Sequence, residues 1–287
     1  MKILIAGSNG MVGSAVTRHL VDHGHTAIRL VRRAPGPGEV RWDPDACTID
    51  RAGLEGFEGV VHVATKPWPL RWTAKFKQEM RANRIGTNRL LAESLAACRR
   101  KPRVLICASG MGVYPSSGDQ LITEETSGGQ SFLASFQQEG EAATAPASEA
   151  GIRVVHLRIP PVIGAANIQH GASQLGDGRQ WTSWIGQGEL ARIVRYALES
   201  ETLVGPVNAV SPHPLRNAEF ASIVARALGR KPGHIPAFLL HILMGEMAAE
   251  LLLASRRIEP SRLLLAGYRF RFPELEDALQ YELGHTK

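Results

Sequence analysis

The sequence predicts an α/β fold with a doubly wound parallel sheet, followed by a smaller and mainly helical C-terminal region. Three observations support this prediction. Short apolar runs alternate with helical patterns as far as Pro160, the first run ends in a glycine-rich turn, and the alternation stops after Pro160. Parallel strands need crossover connections, so strands that alternate with helices are typical of a sheet covered on both faces.

The first elements are a strand, a tight turn and a helix. The apolar run KILIA leads into GSNGMVG, and the helical spacing of Val12, Val16 and Leu20 predicts a helix that ends at Gly24. The runs TAIRLVRR, EVRW and GVVHVAT predict the second, third and fourth strands. Residues 71–99 predict a long helix with a bend near Gly86.

The later predicted elements are two further strands with a helix between them, then a loop, and then mainly helices. RVLICAS predicts the fifth strand, residues 131–151 a helix, and IRVVHLRIP the sixth strand. Residues 162–184, which are rich in glycine and contain two tryptophans, predict a loop. The remaining predicted elements are a helix at 187–200, a strand at GPVNAV, and the helices 217–228, 236–255 and 273–283.

Composition limits the classes of function. The chain has 287 residues, is 44% hydrophobic and carries a net charge of +6, but its arginines are scattered, so we expect no nucleic-acid partner. The most apolar segment contains Glu246 and Glu250, which argues against a membrane span. Three cysteines without a C-x-x-C pair, and no signal peptide, indicate a cytoplasmic protein. The histidines show no metal-ligand pattern, so no metal is expected.

The glycine-rich turn predicts a dinucleotide phosphate site of the Rossmann type. Gly7, Gly10 and Gly13 form G-x-x-G-x-x-G between a strand and a helix. The first glycine permits the turn, the second lets the backbone approach a pyrophosphate, and the third lets helix and strand pack closely. The expected cofactor contacts in this turn are Gly7, Ser8, Asn9, Gly10, Met11, Val12 and Gly13.

The end of the second strand predicts NADP(H) rather than NAD(H). NAD-binding proteins usually present an acidic residue there, which accepts hydrogen bonds from the ribose 2′-hydroxyl. This chain presents Arg32 and Arg33, and a guanidinium can hold a 2′-phosphate that a carboxylate would repel. The alternative for either arginine is an ordinary charge on the surface.

The motifs GSNGMVG, VVHVA, NRIGT and SGMGVY resemble the extended short-chain dehydrogenase/reductases. GRQWTSWI, GPVNAVSP, GEMAAELLL and AGYRFRFPELEDAL resemble an epimerase-like subfamily that has its own helical C-terminal domain. The resemblance implies a Rossmann domain at 1–158 and 186–211, and a smaller substrate region at 159–185 and 212–287. It also implies cofactor contacts at the edge where strands end, namely Ala64, Thr65, Ser109 and Pro161.

The chain departs from this family at the catalytic pair. Extended members use a tyrosine base with a lysine four residues later, and the lysine lowers the pKa of the tyrosine. The alignment puts Ala134 and Gln138 at these positions, and no Tyr or Lys occurs between residues 120 and 150. Gly110 stands where the usual Ser or Thr lies. The remaining candidate catalytic residues are Tyr114 and Ser109, with packing or substrate contact as the alternative for Tyr114 and a structural or cofactor hydrogen bond for Ser109. Asn83 is a third polar residue expected near the same edge, with helix bending or loop anchoring as its alternative.

Arginine and tryptophan side chains predict the substrate pocket, because guanidinium and indole groups suit an anionic or planar ligand. Core packing is the alternative for the tryptophans. Two functions remain open, an NADP(H)-dependent oxidoreductase or epimerase on a small molecule, and a non-catalytic NADP(H)-binding regulator or sensor. The sequence predicts neither the substrate nor the oligomeric state. The expected pocket residues are Arg71, Trp72, Tyr114, Arg179, Trp181 and Trp184.

Overall fold

A computed structural model of the chain describes residues 1–284. The helices are α1 (Met11–Asp22), α2 (Ala74–Ala96), α3 (Phe132–Ala142), α4 (Ala145–Glu149), α5 (Gln187–Glu199), α6 (Asn217–Ala227), α7 (Ala237–Met244), α8 (Ser261–Leu265) and α9 (Leu275–Glu282). The strands are β1 (Lys2–Ala6), β2 (Thr26–Val31), β3 (Glu39–Asp43), β4 (Thr48–Ile49), β5 (Gly59–His62), β6 (Val104–Gly110), β7 (Leu121–Ile122), β8 (Arg153–Ile159), β9 (Val162–Ile163), β10 (Ser173–Leu175), β11 (Trp181–Thr182), β12 (Ile185–Gly186), β13 (Gly205–Asn208), β14 (Leu215–Arg216), β15 (Gly233–Ile235) and β16 (Arg257–Ile258).

Eight strands form the central sheet, in the order β13-β8-β6-β5-β1-β2-β3-β4. All neighbours in it are parallel except β3 and β4. Ile3 of β1 pairs with Ala27 of β2 on one side and with Gly59 of β5 on the other, so the order of strands reverses at β1. Ligands of open parallel sheets bind at the carboxyl edge beside such a reversal. The predicted fold class is confirmed.

Alternation along β1 supplies core residues to both faces of the sheet. Ile3 and Ile5 pack on the face covered by α1 and α5, and Leu4 packs on the face covered by α2 and α4. A third core cluster, around Trp184 and Phe220, lies in the smaller region. Leu263, which belongs to α8, joins the first of these clusters, so the C-terminal region also contributes to the core of the central sheet.

Two predicted helices are interrupted. The stretch predicted as one helix at 131–151 forms α3 and α4, and Pro146 lies in the first turn of α4, where a proline is tolerated. The stretch predicted as one helix at 236–255 ends as α7 before Gly245, whose φ of 58° leaves the helical region. A π-helical turn at Ala248–Leu252 follows it.

The segment predicted as a loop at 162–184 contains the short strands β9, β10 and β11. These strands pair with β12, β15 and β14, so their partners come from later parts of the chain. Runs of two or three residues have no detectable periodicity, which is why the sequence did not predict them. Among the described residues, the helices are all too short or too polar to cross a lipid bilayer.

Candidate functional site

A cavity of about 530 Å³ opens at the point where the strand order reverses. Its walls come from residues that follow the carboxyl ends of β1, β2, β3 and β5, together with one face of α2. Most of the predicted cofactor contacts belong to it. The lining residues that the sequence predicted are Gly7, Ser8, Asn9, Gly10, Met11, Val12, Gly13, Arg32, Arg33, Ala64 and Thr65.

The three glycines of the turn meet three different constraints. Gly7 has a φ of 89°, and a Cβ there would lie 2.6 Å from the backbone nitrogen of Ala64. A Cβ on Gly13 would lie 2.0 Å from the carbonyl oxygen of Gly7, so only glycine permits this contact between turn and helix. A Cβ on Gly10 would meet only the Gly7 carbonyl oxygen, at 3.4 Å. The fold therefore leaves room for a side chain at Gly10, unlike at Gly7 and Gly13.

Gly10 is also the N-cap of α1, and a glycine has no side chain that could cap the helix. The first amide groups of a helix have no partner within the helix, and the helix dipole makes them favourable for an anion. These amides lie in the wall of the cavity, at Met11, Val12 and Gly13. The combination of open space and free amide groups fits the pyrophosphate of a dinucleotide.

The two arginines after β2 differ in their surroundings. Arg33 donates a hydrogen bond of 2.7 Å to Glu39 and another of 2.8 Å to the carbonyl oxygen of Ala34. The amide of Gly36, together with Arg33, lowers the pKa of Glu39, so this carboxylate stays charged beside Arg33. Arg32 is exposed and makes no hydrogen bond or ion pair within the described residues. Arg32 is thus the guanidinium available to a ligand in the cavity.

Several lining residues were missed by the sequence reasoning. Trp42 lies near the end of β3 and Pro44 follows it, and β3 lies next to β2 in the sheet. Thr87 was also missed, and it lies on α2 one helical turn after Asn83, which the sequence had placed near this edge. The sequence could have indicated these residues, because they lie at the ends of parallel strands or on one face of a helix. Leu30, Val31, Val63 and Lys66 complete the lining.

A second cavity of about 220 Å³ lies at the same edge of the sheet, between the ends of β6 and β8 and the smaller region. Met111 follows β6, Pro161 follows β8, and Leu251 and Leu252 come from the π-helical turn. Trp181 lines this cavity, as expected for a substrate pocket. Pro161, predicted as a cofactor contact, lines the second cavity instead of the first.

The other predicted pocket residues lie outside both cavities. Trp184 is fully buried in the core of the smaller region, where its indole donates to the carbonyl oxygen of His213. Trp72 is 9% exposed and packs in an aromatic cluster with Trp68 and Phe132. Arg71 and Arg179 are exposed and line neither cavity. Trp72 and Trp184 therefore pack in the core, which was the alternative to a place in the substrate pocket.

Helix α3 presents a different face to β6 from the one that the alignment predicted. The side chain of Gln137 lies 2.7 Å from the position of a Cβ on Gly110, and Leu133 lies against Gly112 in the same way. Gln138 is exposed and donates to the carbonyl oxygen of Gly129. The positions facing the end of β6 are thus Leu133 and Gln137, one residue before Ala134 and Gln138. Neither pair contains a tyrosine or a lysine.

Ser109 is held by α3 and lines neither cavity. Its hydroxyl donates to Glu141 at 2.6 Å. Glu141 in turn accepts two hydrogen bonds from Arg158, of 3.0 and 2.9 Å. Burial alone would raise the pKa of Glu141, but the hydrogen bonds and charge of Arg158 bring it below its usual value. Ser109 therefore hydrogen-bonds to the ion pair of Glu141 and Arg158. This is the structural hydrogen bond that was the alternative to a catalytic role.

Tyr114 lies in the core and does not reach a cavity, contrary to the expectation that it contacts substrate as a proton donor. It is 1% exposed, its hydroxyl donates to Asn208 at 2.7 Å, and it accepts from Arg158 at 2.8 Å. Burial raises the pKa of the phenol. Both hydrogen-bonding positions of the hydroxyl are occupied by protein groups, so we do not retain Tyr114 as a catalytic residue.

Replacing Tyr114 with phenylalanine should reduce stability and leave cofactor binding unchanged. The change leaves Asn208 and Arg158 each without one buried partner, and an unsatisfied buried group costs roughly 1–3 kcal/mol. Denaturant unfolding measures this loss, and NADPH titration of the same variant checks the cavity. Tyr281→Phe is the control, because Tyr281 is 40% exposed. An unchanged free energy of unfolding in Tyr114→Phe would contradict the prediction.

Comparison with known proteins identifies the family of the chain. The NAD-dependent epimerase/dehydratase family matches residues 3–209, and a domain of unknown function, DUF1731, matches residues 235–282. An epimerase family protein of Mycobacterium bovis is 36% identical over 97% of this chain and 96% of its own length. The mouse epimerase family protein SDR39U1 is 34% identical over 98% of this chain and 99% of its own.

Solved structures of epimerase proteins are also similar to this chain. The human epimerase family protein SDR39U1, crystallised with NADPH, superposes with a TM-score of 0.90 and is 29% identical over 99% of both chains. A nucleoside-diphosphate sugar epimerase from Corynebacterium glutamicum gives a TM-score of 0.83 at 32% identity, over 99% of this chain and 58% of that one. The chain therefore belongs to the NAD-dependent epimerase/dehydratase family of short-chain dehydrogenases/reductases, with a C-terminal DUF1731 domain.

Proposed function

We propose that this protein binds NADP(H) in the first cavity and acts as an oxidoreductase on a small molecule in the second. The observation that carries the proposal is the glycine turn, where Gly7 and Gly13 have no room for a side chain and Gly10 leaves space open at the start of α1. Bound there, NADPH would supply a hydride. The NADPH in the crystal structure of the human relative supports the choice of cofactor.

The second cavity supports an enzyme over the alternative of a non-catalytic sensor. A sensor needs no space beside the cofactor site, and side chains can fill the position of a lost substrate. Here Met111 and Pro161, at the same edge of the sheet as the glycine turn, border a cavity of about 220 Å³. By the predicted division into residues 1–158 with 186–211, and residues 159–185 with 212–287, Met111 comes from the first proposed domain and the rest of the lining from the second.

Reduction of a carbonyl group also requires a proton. His170 is the only acidic or basic side chain among the described residues that line the second cavity. His170 is exposed at the wall of this cavity, and an imidazole can act as a general acid, so we assign His170 as the candidate donor. With a substrate in hand, His170→Gln should lower turnover, with NADPH affinity unchanged. Equal turnover in the variant would exclude His170.

Cofactor preference tests the proposal directly. Calorimetric titration should show tighter binding of NADPH than of NADH, because the 2′-phosphate gains charged hydrogen bonds. Arg32→Ala should remove roughly tenfold of the difference, or about 1.4 kcal/mol. Arg33→Ala should remove less, since Glu39 already pairs with it. The double variant should erase most of the preference.

Arg179→Ala is the control for this titration, because Arg179 is an exposed arginine that lines neither cavity. It should retain the preference of the native protein. Equal affinities of the native protein for NADPH and NADH would contradict the assignment.

A further inference from the structure

We infer that the second cavity takes an uncharged and mainly apolar carbonyl compound, not a nucleotide sugar. The inference rests on the proposed function, and it adds the chemical class of the substrate. It stands on three properties of the second cavity, namely its size, the absence of arginine, lysine, aspartate and glutamate from its lining, and the placement of a few polar groups among apolar ones.

Size is the first property. The cavity holds about 220 Å³, whereas pockets for drug-sized ligands span roughly 300–1,000 Å³. A nucleotide sugar contains a base, a ribose, a diphosphate and a hexose, which together need more room than this. Helix α6 closes the cavity through Phe220 and Val224, which are 7% and 1% exposed and belong to a packed core. Expansion on that side would disrupt the core.

Charge is the second property. A diphosphate is recognised by arginine, lysine or helix amides, which form charge-assisted hydrogen bonds with its oxygens. The described lining contains no arginine, lysine, aspartate or glutamate. Arg216 and Arg257 lie close by, at 4.1 and 4.7 Å from the centre of the Trp181 ring, but both stand outside the lining. Arg216 is also paired with Asp119.

The third property is that most of the lining side chains are apolar. Apolar side chains from four separate elements face the cavity, and they include Ile163, Leu175, Phe220 and Leu252. Desolvating a charged ligand against such groups is unfavourable, whereas an apolar ligand gains about 25 cal/mol for each Å² removed from water. The cavity therefore favours hydrocarbon over charge.

A few polar groups can orient the carbonyl. The hydroxyl of Thr182 makes no hydrogen bond within the described residues, although Thr182 lines the cavity and is only partly exposed. Asn167 differs, because its amide group is already bonded to Val162 and Gly164. Thr182 can thus donate to the substrate oxygen. In the reaction, the carbonyl carbon would accept the hydride and the oxygen would accept a proton from His170, so that NADPH, the carbonyl compound and one proton become NADP⁺ and an alcohol.

A matched pair of ligands tests the inference on the protein saturated with NADP⁺. Benzylacetone is an uncharged methyl ketone, and hydrocinnamate has the same shape with a carboxylate in place of the acetyl group. Calorimetry and thermal unfolding should detect binding of benzylacetone, at least tenfold weaker binding of hydrocinnamate, and no binding of UDP-glucose. Binding of UDP-glucose, or equal binding of the matched pair, would overturn the inference. Absence of benzylacetone binding would also overturn it.

Two variants locate the bound ketone. Ala254→Phe adds a ring to the lining and should reduce benzylacetone affinity at least tenfold, whereas Ala82→Phe, on the exposed side of α2, should have no effect. Thr182→Val keeps the shape and removes the hydroxyl, so it should weaken binding roughly two- to tenfold. Unchanged affinity in Ala254→Phe would place the ketone elsewhere and overturn the inference.

The same samples separate this inference from the proposed function. NADP⁺ affinity is measured first, and it should change less than twofold in Ala254→Phe and Thr182→Val. Failure of the native protein to bind NADP⁺ would contradict the proposed function. Normal NADP⁺ binding with UDP-glucose in the second cavity would contradict only the substrate class.

Discussion

The Gly10→Val variant should lose NADPH affinity by about a hundredfold or more, or roughly 2.8 kcal/mol, and should remain folded. Gly10 has a φ of −75° and a ψ of 168°, which any residue adopts, and nothing but the Gly7 carbonyl oxygen lies near its Cβ position. The added methyl groups therefore meet the space proposed for the pyrophosphate. Calorimetry measures the affinity, and thermal unfolding without ligand checks the fold.

Neighbouring glycines provide the controls for this experiment. Gly86→Val, in open space within α2, should keep normal NADPH affinity. Gly13→Ala should destabilise the protein itself, because its Cβ would lie 2.0 Å from the carbonyl oxygen of Gly7. Gly10→Ala should give a smaller loss of affinity than Gly10→Val, since a single methyl group takes less of the space. Near-normal binding by Gly10→Val would mean that the turn is not the phosphate site.

The central sheet and the glycine turn could be predicted because each depends on local rules. Strand, turn and helix adjoin in residues 2–22, and the need for glycine at positions 7, 10 and 13 follows from a motif of seven residues. Arg32 and Arg33 were predicted in the same way, as the residues after β2.

Aromatic residues could not be assigned to cavity or core from the sequence. Tyr114 meets Arg158 and Asn208, which follow it by 44 and 94 positions. Trp181 and Trp184 are three residues apart, yet one lines a cavity and the other is fully buried. Which surface each ring meets depends on contacts with distant elements, and a local pattern contains no information about them.

The sequence also could not determine which residues of α3 face the end of β6. A helix turns by 100° per residue, so an alignment error of one residue moves a side chain away from its neighbour. Only the contact with Gly110 and Gly112 distinguishes Leu133 and Gln137 from Ala134 and Gln138.

The native protein should not measurably epimerise UDP-glucose or UDP-galactose. Such a reaction requires a base that removes the proton of a sugar hydroxyl, and general base catalysis contributes about 10²–10⁴-fold to the rate. The face of α3 toward β6 presents Leu133 and Gln137, and neither side chain can accept that proton near neutral pH. Tyr114 cannot take over this role, because burial raises its pKa and protein groups occupy its hydroxyl.

The measurement is a coupled assay for both sugars, with an active UDP-glucose epimerase as positive control and NADPH binding verified on the same sample. Loss of the base and exclusion of the sugar are separate reasons for the expected inactivity, and the binding of UDP-glucose distinguishes them. A protein that binds the sugar without converting it lacks only the base. Conversion at a rate typical of the family would mean that another residue, outside α3, removes the proton, and His170 would be the first to replace.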